Sequence, residues 1–315
     1  MNLCRAGCPQ PAVTIEEKEG PPMKVKIESL AGLTTEWRTM EYNWRDHALY
    51  ALAVGADGTE PQYTYEKDMQ AIPTFGVTPY WGTVNVTPKL PRPTSIPVMI
   101  EEKLQPEKSY VNLDYEFFYH KPIQPVKGTF VYRDVLKNLY DRGEGRGMAV
   151  QSQVEVFDEG GTLLCTNRCT TLFPTLGGYG GQPMARRESL IPDRAPDLVC
   201  PDHIGKAQHL LYRLTGDTNL VHVDSQVAQS RGLDGPFVHD LCAFGYVCRL
   251  AVQALFPGQP EKLTRMYAAM KTVLYPDTPV ALYLWKLGQG KAAFRLVNQT
   301  TGKAILDKGE IDWAE

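Results

Sequence analysis

From Tyr212 to Asp224 the chain reads Tyr-Arg-Leu-Thr-Gly-Asp-Thr-Asn-Leu-Val-His-Val-Asp, its densest run of groups able to do chemistry. Gly216 ends a helix and leaves Asp217, Asn219 and His222 on a short irregular segment ahead of a further N-cap, Asp224. A carboxylate and an imidazole facing each other across such a turn can hold one water and shuttle its proton, which is general acid-base chemistry. The same residues admit a structural reading, in which Asp217 caps a turn and His222 is a hydrogen-bonded core histidine. No metal is expected. His47, His120, His203 and His209 lack partners at ligand spacing and read as surface or capping residues, and the Cys4 and Cys8 pair has no matching second pair.

The elements around this run must position it. Lys206 to Leu214 reads as a helix, Asp224 to Gly232 as a short one, and Leu241 to about Phe256 as a longer one stopped by Pro257 and Gly258. The long helix carries Leu241, Phe244, Tyr246, Val247, Leu250 and Leu255 around nearly its whole circumference, the pattern of a buried helix. Four strand runs follow: Arg265 to Tyr275, Val280 to Leu287, Lys291 to Asn298 and Ala304 to Trp313. Wrapping an antiparallel sheet around that helix buries both, which is the hotdog fold.

The first half repeats the theme. A helix from Trp44 to Gly55 precedes strand runs Val111 to Tyr119, Thr129 to Leu139, Met148 to Phe157 and Thr162 to Phe173, read as an antiparallel meander. Between Pro73 and Pro106 the prolines recur too often for a long helix, so extended loops are expected there and the first repeat's central helix is reduced. The fold class is α+β, a double hotdog of two antiparallel sheets that each wrap a helix position, with the long central helix retained in the second repeat. The expected divisions are a flexible extension over 1–22, a first repeat over 23–176, a Gly- and Pro-rich linker over 177–200 and a catalytic repeat over 201–315.

Across 315 residues, Lys+Arg 33 against Asp+Glu 36 leaves a net charge of −3, which gives no general attraction to nucleic acid or acidic lipid. The apolar runs fall far short of the roughly 20 residues that cross a bilayer. No secretory apolar core precedes residue 23, and Cys165, Cys169, Cys242 and Cys248, of an odd seven cysteines, read as structural thiols, so a cytoplasmic chain is expected. The expected assembly is a homodimer.

The Tyr212–Asp224 run, continued through Ala228, Gly232, Pro236 and His239 into Leu241-Cys242-Ala243-Phe244-Gly245, resembles the hydratase 2 signature of MaoC-like dehydratases. The resemblance spans nearly the whole chain. Tyr42 to Gly55 is similar to the family's opening helix, Pro73-Thr74-Phe75-Gly76-Val77 to its first-repeat loop, Asp141-Arg142-Gly143-Glu144-Gly145 to its Asp-Lys-Gly-x-Gly turn, and Gly177 to Gly181 to its Gly-Gly-Phe-Gly-Gly stretch.

The resemblance implies an enzyme that adds water to a trans-2-enoyl-CoA to give the (3R)-3-hydroxyacyl-CoA, or removes it, with CoA as part of the substrate and no further cofactor. Asp217 and His222 would activate the water, Asn219 would steer thioester or water, and the backbone N–H of Asp240 would meet the enolate oxygen at the helix start. Asp114, Tyr115, Arg142 and Met270 would contact substrate, with Met270 equally suited to core packing. Three departures stand out. Leu220 replaces the family's proline, Asp240 its glycine, and Asp114-Tyr115-Glu116-Phe117 its His-Gly-Glu-Gln. Asp240 could cap the helix, oppose the developing charge, or recognise a polar acyl chain. The alternatives to a hydratase are a hotdog thioesterase and an acyl-CoA-binding subunit without turnover.

Overall fold

The computed structural model describes residues 30, 32–81, 95–104 and 110–315; the N-terminal extension expected over 1–22 lies outside them. In the first half, β1 (Arg38–Asn43) runs into α1 (Trp44–Ala53), a 3-10 run covers Pro73–Trp81, and α2 (Ile96–Leu104) precedes β2 (Val111–Tyr119), β3 (Lys127–Asp141), β4 (Met148–Phe157) and β5 (Leu163–Phe173). The second half holds β6 (Leu198–Ile204), α3 (Gln208–Arg213), α4 (Ser225–Ser230), α5 (Asp240–Leu255), β7 (Leu263–Met270), β8 (Thr278–Gly288), β9 (Lys291–Asn298) and β10 (Ala304–Trp313).

All ten strands join one antiparallel sheet in the order β1-β3-β4-β5-β2-β7-β10-β9-β8-β6. Read inward from either edge, the two halves have the same order, so the chain is a pair of repeats meeting at β2 and β7. This is the double hotdog, with its two expected sheets fused into one. The expected first-half meander is corrected in one respect: β2 crosses to the far side of β5 instead of pairing with β3. That exchange brings β2 to the seam, where Asp114 to Phe118 pair with Ala269 to Arg265.

The helix α5 is buried from Leu241 through Val252. Its packing on α1 depends on Gly245, where a Cβ would stand 2.4 Å from Val54 Cγ1 and 2.9 Å from the Tyr50 hydroxyl. Arg249 fastens the same contact, donating to Val54 O at 2.9 Å and to Glu60 at 2.7 Å, and pairing with Asp202. In the first repeat the 3-10 run packs against β2 through β5 and α5. Gly76 lies so close to β5 that a Cβ would meet Cys165 Sγ at 2.6 Å, while its carbonyl accepts from Asn167 Nδ2 at 2.9 Å.

The expectation of extended loops over the proline-rich stretch is corrected by α2, which packs Ile96 and Ile100 against Met148 and Val150 of β4. Pro97 is its second residue, in the first turn, where a missing N–H breaks no helical bond. The segment expected as an exposed linker is tied to the sheet. Arg187 stacks over Tyr267 at 3.6 Å and pairs with Glu310 at 2.9 Å, and β6 begins at Leu198.

Candidate active site

The turn after α3 is held by its own polar groups. Thr215 Oγ1 donates to Tyr212 O at 2.7 Å, and Gly216, at φ +132°, takes a backbone conformation that a side chain would resist. Asp217 accepts from the Asn219 amide at 3.0 Å. Asn219 in turn caps the 3-10 turn Leu220–His222, its oxygen accepting from Val221 N at 3.4 Å. Both Asp217 and His222 end up buried.

His222 Nδ1 lies 2.9 Å from the carbonyl of Phe237. A carbonyl only accepts, so Nδ1 carries the proton and the neutral ring keeps a lone pair on Nε2. Burial holds the ring's pKa below its ordinary value, against the opposing pull of Asp217. His239, 1% exposed, completes the cluster: its ring stacks on His222 at 3.6 Å and 25°, and its Nε2 stands 3.8 Å from Asp217 Oδ2. One polar atom from each of Asp217, His222 and His239 lies within 4.8 Å of the others. Burial drives the His239 pKa well down, against a hydrogen bond to the Asp217 backbone, so this imidazole is neutral too. Tyr212 backs it at a ring distance of 4.9 Å.

Asp240 is the first residue of α5, after His239 in the N-cap position, so it does not cap the helix. The first intrahelical bonds are donated by Cys242 and Ala243 to His239 O, which places the Asp240 amide among the terminal donors that a helix leaves without an internal partner. Its carboxyl is bonded by Asn112 of β2 and faces the charge of Asp217.

The fold brings together Asp217, Asn219, His222 and Asp240; of the other four expected residues, Asp114 and Arg142 lie outside this cluster. A register shift between Asn112 and Asp114 turns Asp114 to the outer face of the sheet, into a pocket of about 360 Å³ with Arg168, Thr170, Arg187 and Tyr267. Burial there pushes the Asp114 carboxyl up to about 6. Tyr115 points inward, 1% exposed, edge-on to Phe244 at 5.3 Å with its hydroxyl on Asn167 at 3.0 Å, so it is a core residue. Arg142 is exposed in the β3–β4 turn. The neighbouring Asp141 organises that turn by accepting amides of Gly143, Gly178 and Gly180 at 2.8, 3.0 and 2.7 Å, which explains why the two glycine-rich motifs occur together. Met270 closes β7, partly buried against the core.

Two site residues escaped the sequence reading. His239 carried a signal in its position directly before the buried helix; Asn112 carried none, since only the bulge turns it inward. His47 is also corrected: it is fully buried and accepts from Ile72 N at 3.0 Å, a core acceptor rather than a surface residue. Cys165, Cys169, Cys242 and Cys248 are free buried thiols.

The family descriptions that match are the MFE-2 hydratase 2 N-terminal domain over residues 40–174 and the MaoC like domain over 188–308. The chain is 27% identical to "Enoyl-CoA hydratase 2, peroxisomal" of Arabidopsis thaliana over 283 residues, covering 83% of this chain and 86% of that protein. It is 29% identical to "Peroxisomal multifunctional enzyme type 2" of Drosophila melanogaster over 283 residues, 86% of this chain, and spans about half that relative's length at 46%. Among solved structures, a MaoC-like dehydratase from Phytophthora capsici superposes with a TM-score of 0.79 at 24% identity, covering 92% of this chain and 99% of the other. Both sequence relatives carry "peroxisomal" in their names, where the sequence reading expected a cytoplasmic chain. With a hydratase 2 N-terminal domain leading into a MaoC-like domain that holds the Asp217 turn, the chain belongs to the MaoC-like hydratase 2 family.

Proposed function

We propose that the chain is a hydro-lyase acting on acyl-CoA thioesters, hydrating a trans-2-enoyl-CoA to the (3R)-3-hydroxyacyl-CoA or catalysing the reverse. The observation that carries this reading is the buried Asp217–His222 pair, in which His222 spends Nδ1 on Phe237 O and keeps Nε2 free as a base. Water bound between the two groups attacks C3 as its proton passes to His222, while Asp217 stabilises the resulting imidazolium. The C2–C3 electron pair moves to the thioester, the enolate oxygen takes the Asp240 amide, and C2 then recovers the proton. Asn219 supplies only its amide NH2 to substrate, because its oxygen holds the turn. CoA enters as part of the substrate and no other cofactor takes part.

The test is a hydration assay with crotonyl-CoA, following loss of the conjugated thioester's absorbance and the configuration of the product. Asp217→Asn and His222→Ala should each lower kcat/KM by about 10² to 10⁴ with little change in melting temperature. Release of free thiol in place of hydration would turn the reading toward a thioesterase, and near-normal hydration by both variants would overturn the assigned roles.

A further inference from the structure

Asp240 stands where the resembled family has glycine, at the point where the proposed enolate oxygen meets the start of α5. A carboxylate there would repel that oxygen. The surroundings of its side chain describe a different state. Asn112 has its oxygen engaged by the Thr171 hydroxyl at 3.4 Å and the Cys169 thiol at 3.5 Å, both from β5, so its amide NH2 is the end that meets Asp240. That donor by itself favours the charged form, so a proton stays on Asp240 only because burial and a neighbouring charge oppose ionisation. The charged group facing it is Asp217, from the turn after α3, while His239, directly before it on the chain, is held neutral. Asn112, Thr171 and Cys169, the groups from β2 and β5, carry no charge as they stand. Burial and the Asp217 charge push the Asp240 carboxyl up to about 6. The residue keeps some open surface, so a bound thioester can reach it.

We propose that Asp240 acts as a neutral carboxylic acid, donating an O–H hydrogen bond to the thioester oxygen beside its own backbone N–H. The proposal rests on the hydro-lyase reading and deepens it. A protonated carboxyl kept in a poorly solvated site is an effective oxyanion donor, and its proton is shared without being transferred, so the reaction's proton balance is unchanged. A residue that would oppose the reaction as an anion assists it as an acid. The alkaline side of the pH profile then belongs to Asp240: as pH rises through its pKa the donor becomes a repelling charge, and kcat/KM falls by up to about tenfold per pH unit.

The experiment measures crotonyl-CoA kcat/KM from about pH 5 to pH 9 for the full chain, Asp240→Asn, Asp240→Gly and Asn112→Ala, with melting temperatures alongside. Asparagine can accept from Asn112 and still offer an N–H, and it does not ionise. Asp240→Asn should keep a tenth or more of wild-type kcat/KM near pH 5.5, lose the alkaline fall and exceed wild type near pH 8 by about tenfold. Asp240→Gly should also lose the fall but run about tenfold or more below wild type near pH 5.5, since a donor is gone. Asn112→Ala removes a donor that favours the charged form and should move the fall to higher pH, a readout that survives if an Asp240 variant folds poorly. An alkaline fall unchanged in Asp240→Asn, or Asp240→Gly faster than wild type at every pH, would overturn the proposal. Wild-type protein that hydrates nothing at any pH would instead overturn the hydro-lyase reading and this inference with it.

Discussion

At the scale of single residues, the site works by fixing which nitrogen of each imidazole can act. His222 is oriented by Phe237 O and by the His239 ring stacked on it at 3.6 Å. His239 is stacked on His222 and also bonds the Asp217 backbone, so its contribution to the pair is either packing or that bond. His239→Phe keeps a flat ring in that stack and His239→Ala removes it. If packing is the role, Phe should retain a tenth or more of kcat while Ala loses about 10², the scale that misplacing a catalytic group costs. Equal loss in both would assign the role to the nitrogens, and kcat measured for the two variants decides it. Asp217, Asn219 and His222 were legible in the sequence because one turn carries all three. His239 comes from a loop crossing and Asn112 from the other repeat, so their roles become visible only once α5 and β2 are in place.

At the scale of elements, most strands were readable because β-branched and aromatic runs ended at turn residues; β2, β4, β9 and β10 have the expected bounds. The edge strands β1 and β6 were not. Each is short and partly polar, and β6 contains Pro201, which an edge strand tolerates. The seating of α1 also stayed hidden, because it depends on a histidine read as a surface residue. His47 on α1 accepts from Ile72 N–H at 3.0 Å and lies edge-on to Phe75 at 5.0 Å, so it joins the helix to the 3-10 run in its neutral form. Burial lowers its pKa to about 3. In the unfolded chain the ring binds a proton below about 6.5, whereas the native ring stays neutral down to about 3. The contribution is therefore complete above about pH 6.5 and is lost as pH falls towards 3. Urea unfolding near pH 7.5 and near pH 5 should differ by about 2 kcal/mol from this group alone, and His47→Gln should remove that share of the difference. An unchanged pH dependence in His47→Gln would show that His47 is protonated in the native protein.

At the scale of the whole molecule, the two repeats cannot be treated as independent, because the sheet runs through the β2–β7 seam and Asn112 of the first repeat bonds Asp240 of the second. Nothing in the sequence revealed this seam: two similar halves leave open which strands meet and whether the sheets fuse. On its outer face the seam is crossed by charge. Glu116 of β2 meets Arg265 of β7 at 2.7 Å, Arg168 of β5 at 3.0 Å and Arg187 of the connecting segment at 3.6 Å, and Arg265 and Arg187 each also reach Glu310 of β10 at 2.9 Å. Glu116, Arg265 and Glu310 keep only 12, 17 and 10% of their side-chain surface exposed, so these pairs are screened less than ordinary surface ion pairs. Glu116→Gln keeps the shape but leaves three guanidinium groups around a neutral amide. The cost should lie between that of exposed and fully buried pairs, about 1 to 3 kcal/mol. Because the backbone ladder across β2 and β7 remains, unfolding should stay a single transition in calorimetry, with a lower midpoint. Glu116 faces away from the Asp217 turn, so crotonyl-CoA turnover should stay within about twofold. Two separated transitions in Glu116→Gln would instead mean that the charges, rather than the strand pairing, make the two repeats one cooperative unit.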